Sequence, residues 1–230
     1  MESHFIHPDS MRVGSLFKPG HSLAWDFLAK LDWPWEALPL IVSYIREIGT
    51  GLDSDDYEIR HDNIWIHKTA KIAPSAFIGA DIIIGAEADV RHCAYLRGPA
   101  LVGEGAVVGN SSELKNSILF DGVQVPHYNY IGDSILGFKS HFGAGVITSN
   151  VKSDSSLVLV SCGDGRFETG LKKFGAICGD YVEVGCNAVL NPGTVVGSHA
   201  TVYPLSMVRG FVPAASIYKK QGEVISKREF

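Results

Sequence analysis

Nothing in this chain approaches the ~20 consecutive apolar residues that a membrane-spanning helix needs, so a helical membrane protein is not expected. The opening Met1-Glu2-Ser3-His4 lacks the charged-then-apolar pattern of an export signal, which makes the cytoplasm the expected compartment. Basic runs are missing too. With 20 Lys and Arg against 25 Asp and Glu the net charge is −5, which argues against nucleic acid or an anionic membrane as the main partner. Cysteine is scarce, and the four present (Cys93, Cys162, Cys178, Cys186) include no C-x-x-C pair. Neither a zinc knuckle nor a redox dithiol is indicated, and all four are read as reduced.

Against these absences stands one regularity. Apolar side chains occupy Ile66, Ile72, Ile78, Ile84, Val90, Leu96, Val102, Val108, Leu114 and Phe120, one every six residues. Small residues follow several of them, as in Ile78-Gly79, Ile84-Gly85, Val102-Gly103 and Val108-Gly109. A helix repeats at 3.6 residues and a simple alternating strand at 2, so neither generates this pattern. A coil of three short strands does. Each hexad forms one side of a triangular prism, its aliphatic points inward, and the small residue lets the chain turn the corner. Stacked coils then lie at the ~4.8 Å spacing of hydrogen-bonded strands. The expected architecture is an all-β solenoid, a parallel β-helix of about seven coils, left-handed by analogy with hexapeptide-repeat proteins.

Residues 1–60 lack the hexad and are expected to form a helical cap. Leu23 to Lys30 suits a short helix, and a longer one starts near Pro34. The latter carries Leu38, Ile41, Val42, Ile45 and Ile48 at helical spacing and ends at Gly49 and Gly51. Such a stripe requires cover, from the first coil or a neighbouring subunit, with Trp25, Trp33 and Trp35 as core anchors. The solenoid is expected over 61–213. Within it the repeat slips by one residue at Val125, continues at Ile131, Leu136, Phe142 and Ile147, stops after Asn150 and returns from Cys178 to Val208. The interruption, 152–172, holds Leu157-Val158-Leu159-Val160 and the turn Cys162-Gly163-Asp164-Gly165, which predicts a β-hairpin arm. Residues 214–230 read as a tail, helical at its end. Flat prism sides favour a cyclic homotrimer.

The polar residues are also ordered. They run Leu96-Arg97-Gly98-Pro99, Glu113-Leu114-Lys115-Asn116, Pro126-His127-Tyr128-Asn129-Tyr130-Ile131-Gly132-Asp133, and His141-Phe142-Gly143-Ala144-Gly145-Val146-Ile147-Thr148-Ser149-Asn150. In these segments the chain resembles the acetyltransferase half of the bacterial glucosamine-1-phosphate acetyltransferase and N-acetylglucosamine-1-phosphate uridylyltransferase. It is more similar still to the archaeal-type sugar-phosphate enzymes that share this half. The resemblance covers about residues 96–205. It implies a left-handed β-helical trimer with acetyl-CoA between adjacent subunits and an amino-sugar 1-phosphate, of glucosamine or galactosamine, as acceptor. By the same resemblance His127 is the general base and Asn150 stands beside the acyl-transfer point. Arg97, Lys115 and Lys173 grip the sugar phosphate, Tyr130 binds the sugar, and Ala144 and Cys186 line the CoA channel. The chemistry is consistent, since a histidine can accept the proton an amine loses at neutral pH and cations suit a dianionic phosphate.

Three departures stand out. His141 replaces an asparagine that contacts substrate in that family, Cys186 replaces a serine, and nothing resembles the glycine-rich loop of the nucleotidylyltransferase half, so uridylyl transfer is not expected. A second reading is a non-catalytic trimeric module that binds a nucleotide sugar or partners a separate nucleotidylyltransferase. A third, a metal hydrolyase of the γ-carbonic-anhydrase kind, needs two histidines five residues apart, whereas His92, His127 and His141 are separated by 35 and 14. No metal is therefore expected.

Overall fold

In the computed structural model, which describes residues 7–227, the repeat forms the left-handed parallel β-helix expected of it. On the first side of the prism, rungs at Ile64–His67, Ile82–Ile84 and Ala100–Val102 pair in parallel, then the ends of Glu113–Leu119 and Tyr130–Leu136, then Ala176–Cys178, Thr194–Val196 and Phe211–Val212. The second side runs from Lys71–Ile72 to Ser216–Lys220 and the third from Phe77–Ile78 to Met207–Val208. Two sides have eight rungs and the third has seven. Inside, like positions stack into apolar columns, as in Ile66, Ile84, Val102, Leu119 and Leu136. Gly109 shows why a small residue follows the aliphatic: a Cβ there would lie 1.6 Å from the Pro126 carbonyl oxygen on the next rung.

The register corrects two of the inward marks. Leu119, not Phe120, pairs with Val102, so the five-residue step spans Leu114 to Leu119 and precedes Val125. Phe120 leaves the column and stacks on Phe17 at 4.9 Å. Likewise Thr148, not Ile147, pairs with Ile131. Ile147 is 39% exposed, whereas Thr148 is buried and its hydroxyl accepts the Gly132 N–H at 2.9 Å. At the first place both neighbours are apolar and buried, Phe120 under the N-terminal cover; at the second, hydrogen bonding lets the polar neighbour take the inward position.

The N-terminal segment lies along the first side. A 3₁₀ turn, Pro34–Leu40, leads into the helix Ile41–Gly49, which buries Ile41 and Ile45 against rungs at Ile82–Ile84, Ala100–Val102 and Glu113–Leu119. Its end meets Trp65 on the first rung, where a Cβ on Gly49 would lie 2.5 Å from the indole. Arg46 fastens it through two bonds, of 2.7 and 3.0 Å, to the buried Asp81, which also accepts from Asn63. The predicted arm is present as the antiparallel hairpin of Leu159–Cys162 and Gly165–Glu168. It folds back on the same side, near Phe211–Val212, with Phe167 5.6 Å from Trp33.

Each end of the solenoid carries one reversed strand. Tyr57–Arg60 pairs antiparallel with Ile64–His67, and Glu223–Ser226 pairs antiparallel with Ser216–Lys220. The tail is thus a hairpin where a helix was expected, because Ile217 and Tyr218 still pair with Thr201 and Val202 as a last rung. Among the described residues no helix is long and apolar enough to cross a membrane.

Candidate functional site

Two corners of the prism carry the polar motifs. At the corner between the second and third sides, His92, Asn110, His127, Ala144 and Cys186 form a column. The N–H groups of Ser111, Tyr128, Gly145 and Asn187 donate to the carbonyls of His92, Asn110, His127 and Ala144, at 2.8 to 3.3 Å. These four donors all have positive φ, from 52° to 74°, including the bulky Tyr128. The His127 N–H donates to Asn129 Oδ1 at 3.1 Å, and the buried Asn129 amide donates in turn to the Gly143 carbonyl at 2.9 Å. That anchor fixes the backbone and leaves the His127 ring exposed. Ala144 and Cys186, the candidate cofactor residues, follow it on successive rungs as small side chains, so the strip beside His127 stays open.

The corner between the third and first sides is built differently. The five-residue steps Leu114–Leu119 and Ile131–Leu136 remove one residue from the turn, and the strands run through it unbroken. Asn116 and Asp133 adopt left-handed φ of 49° and 46° there, a conformation asparagine and aspartate tolerate better than most side chains. Stacked on successive rungs, they meet: Asn116 Nδ2 donates to Asp133 Oδ1 at 2.9 Å. Lys115 Nζ lies 2.8 Å from both Asp133 oxygens, and Asn150 Nδ2 donates to Asp133 Oδ2. Asn150 also donates to the Tyr130 hydroxyl at 3.2 Å. Burial, and then the nearby Glu113 carboxylate, push the Tyr130 phenol above its usual pKa. Arg97, exposed, is bonded to Glu113 at 3.0 Å.

The structure therefore gathers Lys115, Tyr130 and Asn150, with Arg97 on the same corner, and groups His127 with Ala144 and Cys186 on the other. Lys173 faces solvent beside Val151, to which its backbone is bridged just beyond Asn150. His141 stands apart on the second side, with Nδ1 2.9 Å from Glu183 Oε2. Asp133, Asn116 and Asn129 carry no role in the motif resemblance. A signal for the first two exists, since each stands two residues after an inward aliphatic at a five-residue step. Among the described residues no group of three His, Cys, Asp or Glu side chains is placed to hold a metal ion. Along the open third side, Phe77 (58% exposed), Tyr95, Ile147 and Met207 (50%) are exposed apolar side chains, with Glu113 and Tyr130 on the rungs between Tyr95 and Ile147.

No family model matches the chain. It is 37% identical over 136 residues to the bifunctional protein GlmU of Methanococcus maripaludis, an alignment covering 59% of this chain and 33% of that protein. The GlmU of Methanococcus aeolicus is 30% identical over 205 residues, 88% of this chain and 49% of the relative. A bifunctional sugar-1-phosphate nucleotidylyltransferase/acetyltransferase of Sulfurisphaera tokodaii is 34% identical over 125 residues, 54% of this chain and 31% of the relative. The chain is related to these proteins. It spans a third to a half of their length, and the alignments bear out the resemblance read from its motifs. Among solved structures, the acetyltransferase domain of PglB from Neisseria gonorrhoeae, in complex with acetyl coenzyme A, is 19% identical with a TM-score of 0.31, covering 67% of this chain and 53% of that one.

Proposed function

We propose that this protein is an acetyl-CoA-dependent N-acetyltransferase acting in the cytoplasm on an amino-sugar 1-phosphate, with glucosamine-1-phosphate and galactosamine-1-phosphate as the candidate acceptors. The observation that carries the reading is the exposed, unencumbered imidazole of His127, on a corner whose next rungs bear only Ala144 and Cys186. Relatedness to proteins named as sugar-1-phosphate nucleotidylyltransferase/acetyltransferases supports the same chemistry. Acetyl-CoA, when bound, supplies the acetyl group as a thioester, and the small residues at Ala144 and Cys186 suit a narrow pantetheine arm. His127 accepts the proton that the acceptor amine loses as its nitrogen bonds to the acetyl carbon, and can return it to the sulfur, which leaves as the free thiol when the acyl C–S bond breaks. Tyr130 and Asn150 hold the sugar. The exposed cations Arg97 and Lys173 meet its phosphate, Arg97 exchanging its ion pair with the half-buried Glu113 for it.

The assembly in this reading is a homotrimer. Exposed apolar side chains at Phe77 and Tyr95, and again at Ile147 and Met207 beyond Glu113 and Tyr130, favour burial of this side against a neighbouring copy. His141 and its Glu183 partner lie on the other open side, so only a neighbouring copy brings them towards the Tyr130 corner. Incubating the protein with acetyl-CoA and each amino-sugar 1-phosphate tests the activity: free thiol appears with an accepted sugar and not without one. No thiol release with any of them would favour the scaffold reading.

A further inference from the structure

Lys115 is the best-defined cation of the candidate acceptor site, and it is already neutralised. Its ammonium lies 2.8 Å from both oxygens of Asp133, whose side chain is only 4% exposed while that of Lys115 is 20% exposed. The same carboxylate takes Asn116 and Asn150, so three side chains converge on one buried anion. Asn116 has a further tie, since its amide also donates to the Leu38 carbonyl of the N-terminal 3₁₀ turn at 3.1 Å. Asn150 passes the arrangement on to the Tyr130 hydroxyl. A surface ion pair would rearrange freely, but a buried carboxylate with this many donors holds each of them in one direction.

We infer that Asp133 is the positioning residue of the acceptor site: it aims Lys115, Asn150 and, through Asn150, Tyr130, and it converts Lys115 from a net charge into an oriented hydrogen-bond donor. The inference rests on the proposed function for the word acceptor. It reassigns the phosphate's charge to Arg97 and Lys173 and leaves Lys115 to an uncharged oxygen of the ligand. The N-terminal turn becomes the back wall of the site, reached through Asn116.

Three full-chain variants decide it. Lys115→Met strands a buried carboxylate, and its thermal midpoint falls clearly below that of Lys115→Met/Asp133→Asn, where the charge has gone as well. Asp133→Asn alone releases the Lys115 charge. Inorganic phosphate, titrated as the probe and followed by side-chain NMR of the cations, then binds about tenfold more tightly than to the unaltered protein. Acetyl transfer in the same variant falls about a hundredfold, because the aim of Asn150 and Tyr130 is lost. A carboxylate with only a structural role would lower midpoint and turnover together with no gain in phosphate affinity, and that result overturns the inference. So does a Lys115→Met protein as stable as the double variant. The thermal and phosphate measurements need no turnover, so a chain without acetyl transfer would sink the proposed activity and still leave them to decide the role of Asp133.

Discussion

The first and third sides of the prism belong to the same coils, yet one is sealed by the chain itself and the other is bare. Outward positions of the first side hold Ile83, Leu101, Ile118, Ile135, Ile177 and Val195, all buried under the N-terminal segment and the hairpin arm. Those of the third side hold Phe77, Tyr95, Glu113, Tyr130 and Ile147, which stand partly or largely in solvent. A strand buried on both faces reads as an unbroken apolar run, and a strand buried on one face alternates. Ile82-Ile83-Ile84 and Phe77-Ile78 are those two cases side by side. The middle residue of each rung therefore says which side will be covered, and the uncovered side is where partners and ligands can reach.

Four substitutions probe the difference between the sealed side and the open ones. The largest effect belongs to an open corner: His127→Ala should lower acetyl transfer by about 10²–10⁴-fold with an unchanged thermal midpoint, and a loss of both together would mean the ring is structural after all. On the sealed side, Ile118→Ala should lower stability by about 2–5 kcal/mol in denaturant titration, through the cavity it leaves beneath the helix Ile41–Gly49. Next comes the fastening of that cover. Arg46, followed by Asn63, holds the Asp81 carboxyl below its usual pKa. The folded chain therefore binds fewer protons here than the unfolded one. The contribution is complete above the ordinary carboxylate pKa of ~3.9 and is lost as pH falls through the lower folded value. Asp81→Asn should flatten that acid limb and cost about 1–3 kcal/mol at neutral pH. The smallest change in folding stability, within about 0.5 kcal/mol, is expected for Met207→Ser on the bare side. There the informative readout is sedimentation, where a weakened oligomer supports the interface and an unmoved one removes Met207 from it.

Much of the coil was legible because its period is long and its inward marks are aliphatic. From Ile66 to Leu114 each mark stands where the structure places it, and the hairpin after Leu157 was announced by alternation and by Gly163 and Gly165. Hydrophobicity misplaces the inward mark where an outward side chain is covered by a distant segment, and where the inward one is polar. Phe120 is buried by Phe17, more than a hundred residues away in sequence, and Thr148 is buried because Gly132 and Tyr130 meet its hydroxyl. The cover was foreseen as a helix but not as a lining of one whole side, since nothing local tells Ile41 which apolar surface it will meet. For the site, motif order nominates His127, Tyr130 and Asn150 as candidates. Asp133 escaped because a lone aspartate after glycine looks like a solvated turn until Lys115 and Asn150 are seen to converge on it.

A stack of parallel strands is open at both ends, and an open rung invites the next copy of the same chain to continue it. Here Tyr57–Arg60 and Glu223–Ser226 each run against the grain of the rung they border. A newcomer approaching in the direction of the coils meets a backbone pointing the opposite way, with Glu58, Arg60 and Glu223 presented on it. One rung edge at each end is thus withheld from parallel continuation by a further copy.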